Sequence, residues 1–155
     1  FVRWIFPRAK ILVALRDPRD VILSCFQQSF RPNRAVAHFL DIRSTVELYA
    51  TAMDLWLHYR DTVDDWMEYR YEDLASEPEA TTRKIFEYLG LAWTETVINA
   101  EHRAGKRVIA TPSHVDVTEP IYRRSIGRWQ NYRAHLEPVL SDLAPYIAQF
   151  GYDPA

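Results

Sequence analysis

One cysteine, Cys25, is all that the chain of 155 residues contains, so no disulfide forms within it. A reducing compartment, the cytoplasm, is the expected setting. No apolar run approaches the roughly 18 residues that a membrane helix needs, and no charged-then-apolar leader opens the chain. Neither a membrane partner nor a signal peptide is therefore expected. Net charge is also lacking: 19 basic against 21 acidic side chains leave −2. That balance argues against a general nucleic-acid or membrane-surface binder, while leaving room for a local basic site. Lysine is scarce, only Lys10, Lys84 and Lys106; the rest of the 19 basic residues are arginine. Arginine offers a planar fork that meets phosphate or carboxylate oxygens in pairs, although genomic base composition also produces such a bias. Nothing resembles a cluster of metal ligands, and there is no internal repeat.

What is present is a globular composition, 48% hydrophobic and 26% charged, of single-domain length. Phe1 to Pro7 is a short aromatic segment, read as the end of a helix. Lys10 to Leu15 reads as a fully buried strand, an apolar run bounded by charge and proline. Pro18 is read as a break and Asp20 as the cap of a helix from Val21 to about Phe30. Leu40 to Val63 is a long amphipathic pattern, with Leu48, Ala52, Leu55, Trp56 and Tyr59 on one face. Met67 to Tyr71 alternates like a second strand. Pro78 opens a further helix that Gly90 ends. Thr94 to His102 reads as a short helix. Ser125 to Phe150 is helical, interrupted near Pro138 and Pro145. Strands separated by helices imply a parallel α/β layer with helical crossovers and a helix-rich C-terminal part.

Three places carry chemistry. Arg16 stands at the carboxyl end of the first strand, where α/β sheets bind ligands, and Ser24 lies eight positions on in the next helix. Together with a helix start they make an anion pocket. The alternative is an arginine paired with Asp17 or Asp20 and a serine facing water. Tyr71, opening Tyr71-Glu72-Asp73, stacks on a base or is simply a half-buried strand tyrosine. The segment "SHVDVTEPIYRRSIGRW" brings Arg123, Arg124 and Arg128 before Trp129. Arg124 and Arg128 are expected one helical turn apart on a shared face, with Gly127 allowing close backbone approach to a ligand. A solvated basic face is the alternative. Ser113 beside His114 lacks an acid to orient the pair and is not read as a nucleophile with its base.

"FPRAKILVALRDPRDVILSCFQQSF", "YRYEDLASEPEATTRKIFEYLGL" and "PIYRRSIGRWQNYRAHLEPVLSDL" resemble sulfotransferases that use 3′-phosphoadenosine 5′-phosphosulfate. The likeness is to bacterial tetratricopeptide-linked enzymes and to tyrosylprotein sulfotransferases, and it runs over nearly the whole chain. It implies an incomplete P-loop-NTPase-like three-layer parallel sheet. It implies transfer of a sulfuryl group from that nucleotide to a hydroxyl or amine acceptor, without a metal. Arg16 and Ser24 then match the residues that hold the 3′-phosphate, with Arg123 and Arg124 nearby, and Tyr71 matches the one against the adenine. Ser113 resembles the serine near the sulfate bridge, and Arg128 the basic residue before the tryptophan. The chain departs from the family in two respects. The Pro-x-Ser-Gly-Thr-Thr-like 5′-phosphosulfate loop is absent, and none of Gly90, Gly105, Gly127 and Gly151 sits in such a loop. The catalytic base, a histidine or glutamate, has no match either. The resemblance thus implies that residues 1–155 are the C-terminal portion of one sulfotransferase domain, inactive alone, with the loop, the base and a tetratricopeptide region upstream. A non-catalytic nucleotide-binding remnant or interaction module is the second reading. A third is a phosphatase, since Cys25 and Arg31 have the Cys-x5-Arg spacing, but Phe-Gln-Gln-Ser-Phe between them is too bulky for a phosphate cradle.

Overall fold

Proline at the first position of a helix costs nothing, because the N–H it lacks has no helical partner there. In the computed structural model, which describes residues 2–28, 30–31, 33–98 and 123–154, Pro18 opens a helix instead of ending the segment before it. The elements in chain order are α1 (Val2–Ile5), β1 (Ile11–Leu15), α2 (Pro18–Gln27), a 3-10 turn at Val36–Leu40, α3 (Ile42–Arg60), β2 (Trp66–Arg70), α4 (Tyr71–Ser76) and α5 (Pro78–Leu89), then 3-10 turns at Glu95–Val97 and Arg128–Tyr132, α6 (Arg133–Leu136), a 3-10 turn at Glu137–Val139 and α7 (Leu140–Gln149). The chain is mixed α/β, mostly helical, with a small parallel sheet. It divides into two compact units, Phe1–Leu15 with Arg60–Arg123 and Arg16–Tyr59 with Arg124–Ala155.

The first unit holds the sheet. β1 and β2 run parallel with Ile11 opposite Trp66 and Leu15 opposite Arg70. β1 is not fully buried: Leu15 is covered, but Leu12 is 37% exposed and Ala14 is also open. Residues alternate across a strand, and only one of the two faces of β1 is covered. α4 follows β2 directly and α5 packs on it. α5 ends as its sequence promised, with Gly90 at φ 73°, the left-handed conformation that releases its N–H to the carbonyls of Phe86 and Glu87. Its first turns are held by Thr82, whose hydroxyl donates to the Pro78 carbonyl at 2.7 Å and accepts from the Trp93 indole N–H at 2.9 Å. Tyr88 ties α5 to β1 through its hydroxyl and the Ile11 carbonyl, and Lys10 donates to the Tyr88 carbonyl. The short helix expected at Thr94 to His102 is a 3-10 turn at Glu95–Val97; residues 99–102 lie outside the described residues.

The second unit holds the larger core. Ile22 and Leu23 of α2, Val46 of α3, Trp129, Leu136, Val139, and Leu143 and Ile147 of α7 form one buried cluster. On α3 the buried residues are Thr45 and Val46, not the face read from the sequence, where Leu55 is 53% and Tyr59 50% exposed. Apolar residues surround this helix, so spacing alone does not select a face. Pro145 sits inside α7 without ending it. It forfeits one backbone hydrogen bond in the middle of the helix, and Leu143, Tyr146 and Ile147 on either side stay buried. Tyr146 donates to Asp54 Oδ1 at 2.8 Å and meets Tyr49 edge-on.

Leu136 is 0% exposed. Leu136→Ala should cost about 2–5 kcal/mol, read as a lower urea midpoint with an unchanged slope. Burial first, then the bond to Asp54, then the charge of Asp54, push the Tyr146 phenol up to about 12. A phenol raised above its ordinary 10 contributes stability that is complete below pH 10 and is lost as pH climbs through 12. A melting series across that interval should show the loss, and Tyr146→Phe should flatten it.

Candidate functional site

The start of α2 is built on acid–base pairs. Asp17, and not Asp20, is its N-cap: the carboxylate accepts the Arg19 N–H at 2.9 Å. The same carboxylate takes the Arg19 side chain in a two-pronged grip, Nε at 2.9 Å and Nη2 at 2.7 Å. The Arg19 guanidinium lies 3.9 Å from the centre of the Trp129 ring and donates to the Asp153 carbonyl at 2.8 Å. A buried cation is tolerable only when such partners replace its water.

Asp20 points into the interior. It is 1% exposed, and each carboxylate oxygen meets one backbone donor, Gly127 N–H at 2.7 Å and Trp129 N–H at 2.8 Å. Burial pushes this carboxyl up; the two N–H bonds and the nearby Arg16 charge partly oppose that push. Gly127 has φ 66°. Among the described residues, a β-carbon there would meet only the Gln130 side chain at 3.8 Å. The glycine is required by its left-handed backbone, not by a close approach.

Arg16 is half-buried, and its Nη2 donates to the Ser125 carbonyl at 2.7 Å. Ser24 is half-buried on α2, and its hydroxyl makes no hydrogen bond among the described residues. Arg124 and Arg128 are exposed. They do not share a helical face: residues 124–127 form a turn, and the 3-10 segment begins at Arg128 after Gly127. The second unit therefore carries Arg16, Ser24, Arg124 and Arg128.

In the first unit, Tyr71 is half-buried and is the first residue of α4. Arg123 donates to the carbonyls of Ala75 and Ser76, at 3.4 and 2.5 Å, so it caps the C-terminal end of α4. Ser113 and His114 lie outside the described residues. Among the described residues no group of three or more His, Cys, Asp or Glu could hold a metal ion, and no helix is long and apolar enough to cross a membrane.

The sequence did not disclose Arg19, Asp20 as an interior acceptor, or the Ser125 carbonyl. Gly127 and Trp129 stand 107 and 109 positions from Asp20, and no local pattern spans that separation. Cys25 lies within α2, where its backbone N–H belongs to the helix and not to a phosphate cradle. Burial pushes its thiol up, opposed by the Arg16 charge. A raised thiol is mostly protonated at neutral pH, so alkylation of Cys25 should be slow at pH 7 and quicken only in alkali. Arg16→Ala should move that profile to still higher pH.

The family model described as the sulfotransferase family matches residues 1–95. The chain is 30% identical over 140 residues to an uncharacterized protein of Aquifex aeolicus, covering 89% of this chain and 18% of that protein. It is 25% identical over 162 residues to protein-tyrosine sulfotransferase A of Caenorhabditis elegans, covering 99% of this chain and 42% of that protein. It is also 25% identical over 169 residues to protein-tyrosine sulfotransferase of Drosophila melanogaster, with 99% and 32% covered. The chain thus spans less than half the length of these relatives. With a match over well over half of its residues, the chain belongs to the sulfotransferase family.

Proposed function

We propose that this chain carries the 3′-phosphate and adenine side of the donor site of a sulfotransferase that uses 3′-phosphoadenosine 5′-phosphosulfate and a hydroxyl or amine acceptor. The observation that carries the reading is the pair Arg16 and Ser24. One is a half-buried guanidinium steadied by the Ser125 carbonyl, the other a half-buried hydroxyl on the helix that follows, without a hydrogen bond among the described residues. A phosphate dianion leaves water only where charged donors replace its hydration, and an arginine with a hydroxyl supplies that replacement. The capping carboxylate of Asp17 already occupies the first N–H of α2. The phosphate is therefore assigned to the side chains of Arg16 and Ser24 and not to the helix end itself.

The remaining roles follow the family likeness. Tyr71 lies against the adenine. Arg128 and Arg124 are exposed cations able to approach an anionic donor. Arg123 is a weaker candidate for the phosphate, because its guanidinium serves the end of α4. Ser113 is assigned to the sulfate bridge by resemblance alone. In this reading β1 and β2 belong to a larger parallel sheet layered between helices, as in P-loop NTPases. The donor supplies the sulfuryl group and the bridging oxygen on which charge builds; fixed cations and donors on the protein offset that charge. The acceptor class includes the phenol of protein tyrosine, for which the two animal relatives are named.

Calorimetric titration with adenosine 3′,5′-bisphosphate, against 5′-AMP as control, tests the assignment. The bisphosphate should bind more tightly. Arg16→Ala should remove about 1.5–3 kcal/mol of that preference, and Ser24→Ala about 0.5–1.5 kcal/mol. Equal binding of the two nucleotides by the folded chain, or a preference untouched by Arg16→Ala, would sink the assignment.

A further inference from the structure

Two groups on either side of the start of α2 hold one and the same turn. Arg16, just before the helix, donates to the carbonyl of Ser125. Asp20, in the first turn of the helix, accepts the N–H groups of Gly127 and Trp129, one on each oxygen. The left-handed φ of Gly127 turns the backbone between those contacts. The carboxylate is 1% exposed, so it does not touch solvent or ligand itself. Burying an ion is costly, and a well-packed apolar residue would serve packing alone at least as well. What an apolar residue cannot do is fix two backbone donors at once and thereby set where the Ser125 carbonyl stands.

The geometry points to Asp20 as a positioning residue for the anion site: it holds the Ser125–Gly127 turn, and through the Ser125 carbonyl it fixes the direction of the Arg16 guanidinium. An amide in its place offers one acceptor and turns its own N–H2 toward the other donor. The turn then loses one of its two holds, and Arg16 loses its bearing. The ligand readout of this role rests on the donor assignment made above; the thiol readout described next does not.

Asp20→Asn in the full chain is the test. The variant should keep a cooperative melt yet lose at least tenfold of the preference for adenosine 3′,5′-bisphosphate over 5′-AMP. Combined with Arg16→Ala, it should weaken bisphosphate binding by less than a further twofold, because both act through one group. A retained preference overturns the role, as does an equal loss for both nucleotides that adds fully to Arg16→Ala, which is what mere destabilisation gives. Should wild-type protein show no preference, the donor assignment fails and alkylation of Cys25 decides the positioning role by itself. The Arg16 charge favours the thiolate, so a displaced Arg16 slows alkylation, whereas simple loss of a negative charge nearby speeds it. Asp20→Asn slowing the reaction as much as Arg16→Ala supports the role; an unchanged or faster rate overturns it. If Asp20→Asn does not fold, Gly127→Ala replaces it. That change alters no charge and strains the turn, and among the described residues only the Gln130 side chain, at 3.8 Å, lies near the new β-carbon. It should move both readouts the same way, and unmoved readouts overturn the role.

Discussion

A guanidinium without water holds the second unit together. Arg19 is 4% exposed, and one neighbouring and two distant groups replace its hydration: the Asp17 carboxylate, the Trp129 ring and the Asp153 carbonyl. An isolated pair of this kind contributes little net energy, because desolvation consumes most of the attraction. Its value lies in direction. A planar cation gripped along its edge and stacked on its face has one orientation. That orientation sets Trp129 against α2, beside the turn whose N–H groups Asp20 accepts. The apolar cluster of Ile22, Leu136, Val139 and Leu143 supplies the bulk of the stability; the ionic centre selects the register in which that cluster closes.

Asp17 and Asp20 show how neighbouring residues of one type divide their work. Both stand in the first turn of α2 or beside it, where negative charge suits the helix dipole. Asp17 faces the helix end and caps it. Asp20, three residues on, faces the interior and serves a segment more than a hundred residues away. The anion site proposed above depends on this division. Asp17 already satisfies the first N–H of α2 from within, so in that proposal recognition falls to two side chains, Arg16 before the helix and Ser24 within it.

How far the sequence disclosed this depends on the range of the interaction. β1, β2 and α5 were legible because their signals are local: a short apolar run for β1, alternation for β2, and Pro78 and Gly90 at the ends of α5. The start of α2 was misread because proline breaks a helix from behind and begins one from the front, and a single proline does not say which. The buried face of α3 was missed because Leu55, Trp56 and Tyr59 compete with Thr45 and Val46, and only tertiary packing chooses. Arg16 and Ser24 were singled out by their relation to a strand end and to a family pattern. Arg19 went unnoticed because its partners at Trp129 and Asp153 lie far along the chain. Arg123 was grouped with Arg124 and Arg128 by adjacency, yet it serves the end of α4. Adjacent arginines in a turn diverge, which no one-dimensional pattern reveals.

The second unit is assembled from two stretches of chain, Arg16–Tyr59 and Arg124–Ala155. Its buried cluster takes Ile22, Leu23 and Val46 from the first and all its other members from the second. During synthesis, the early stretch emerges with its apolar residues uncovered and with Arg19 beside Asp17 but without Trp129 and Asp153. It stays so while more than sixty further residues are made. At roughly 5–20 residues per second that wait lasts several seconds, far longer than helix formation takes. α2 and α3 therefore leave the ribosome as elements without a core, and the step that closes the unit belongs to the arrival of α7 and Asp153. Substitutions in that late stretch act on α2 and α3, and a ribosome stalled before it holds a nascent chain exposing the surface that Trp129, Leu136 and Leu143 would have covered.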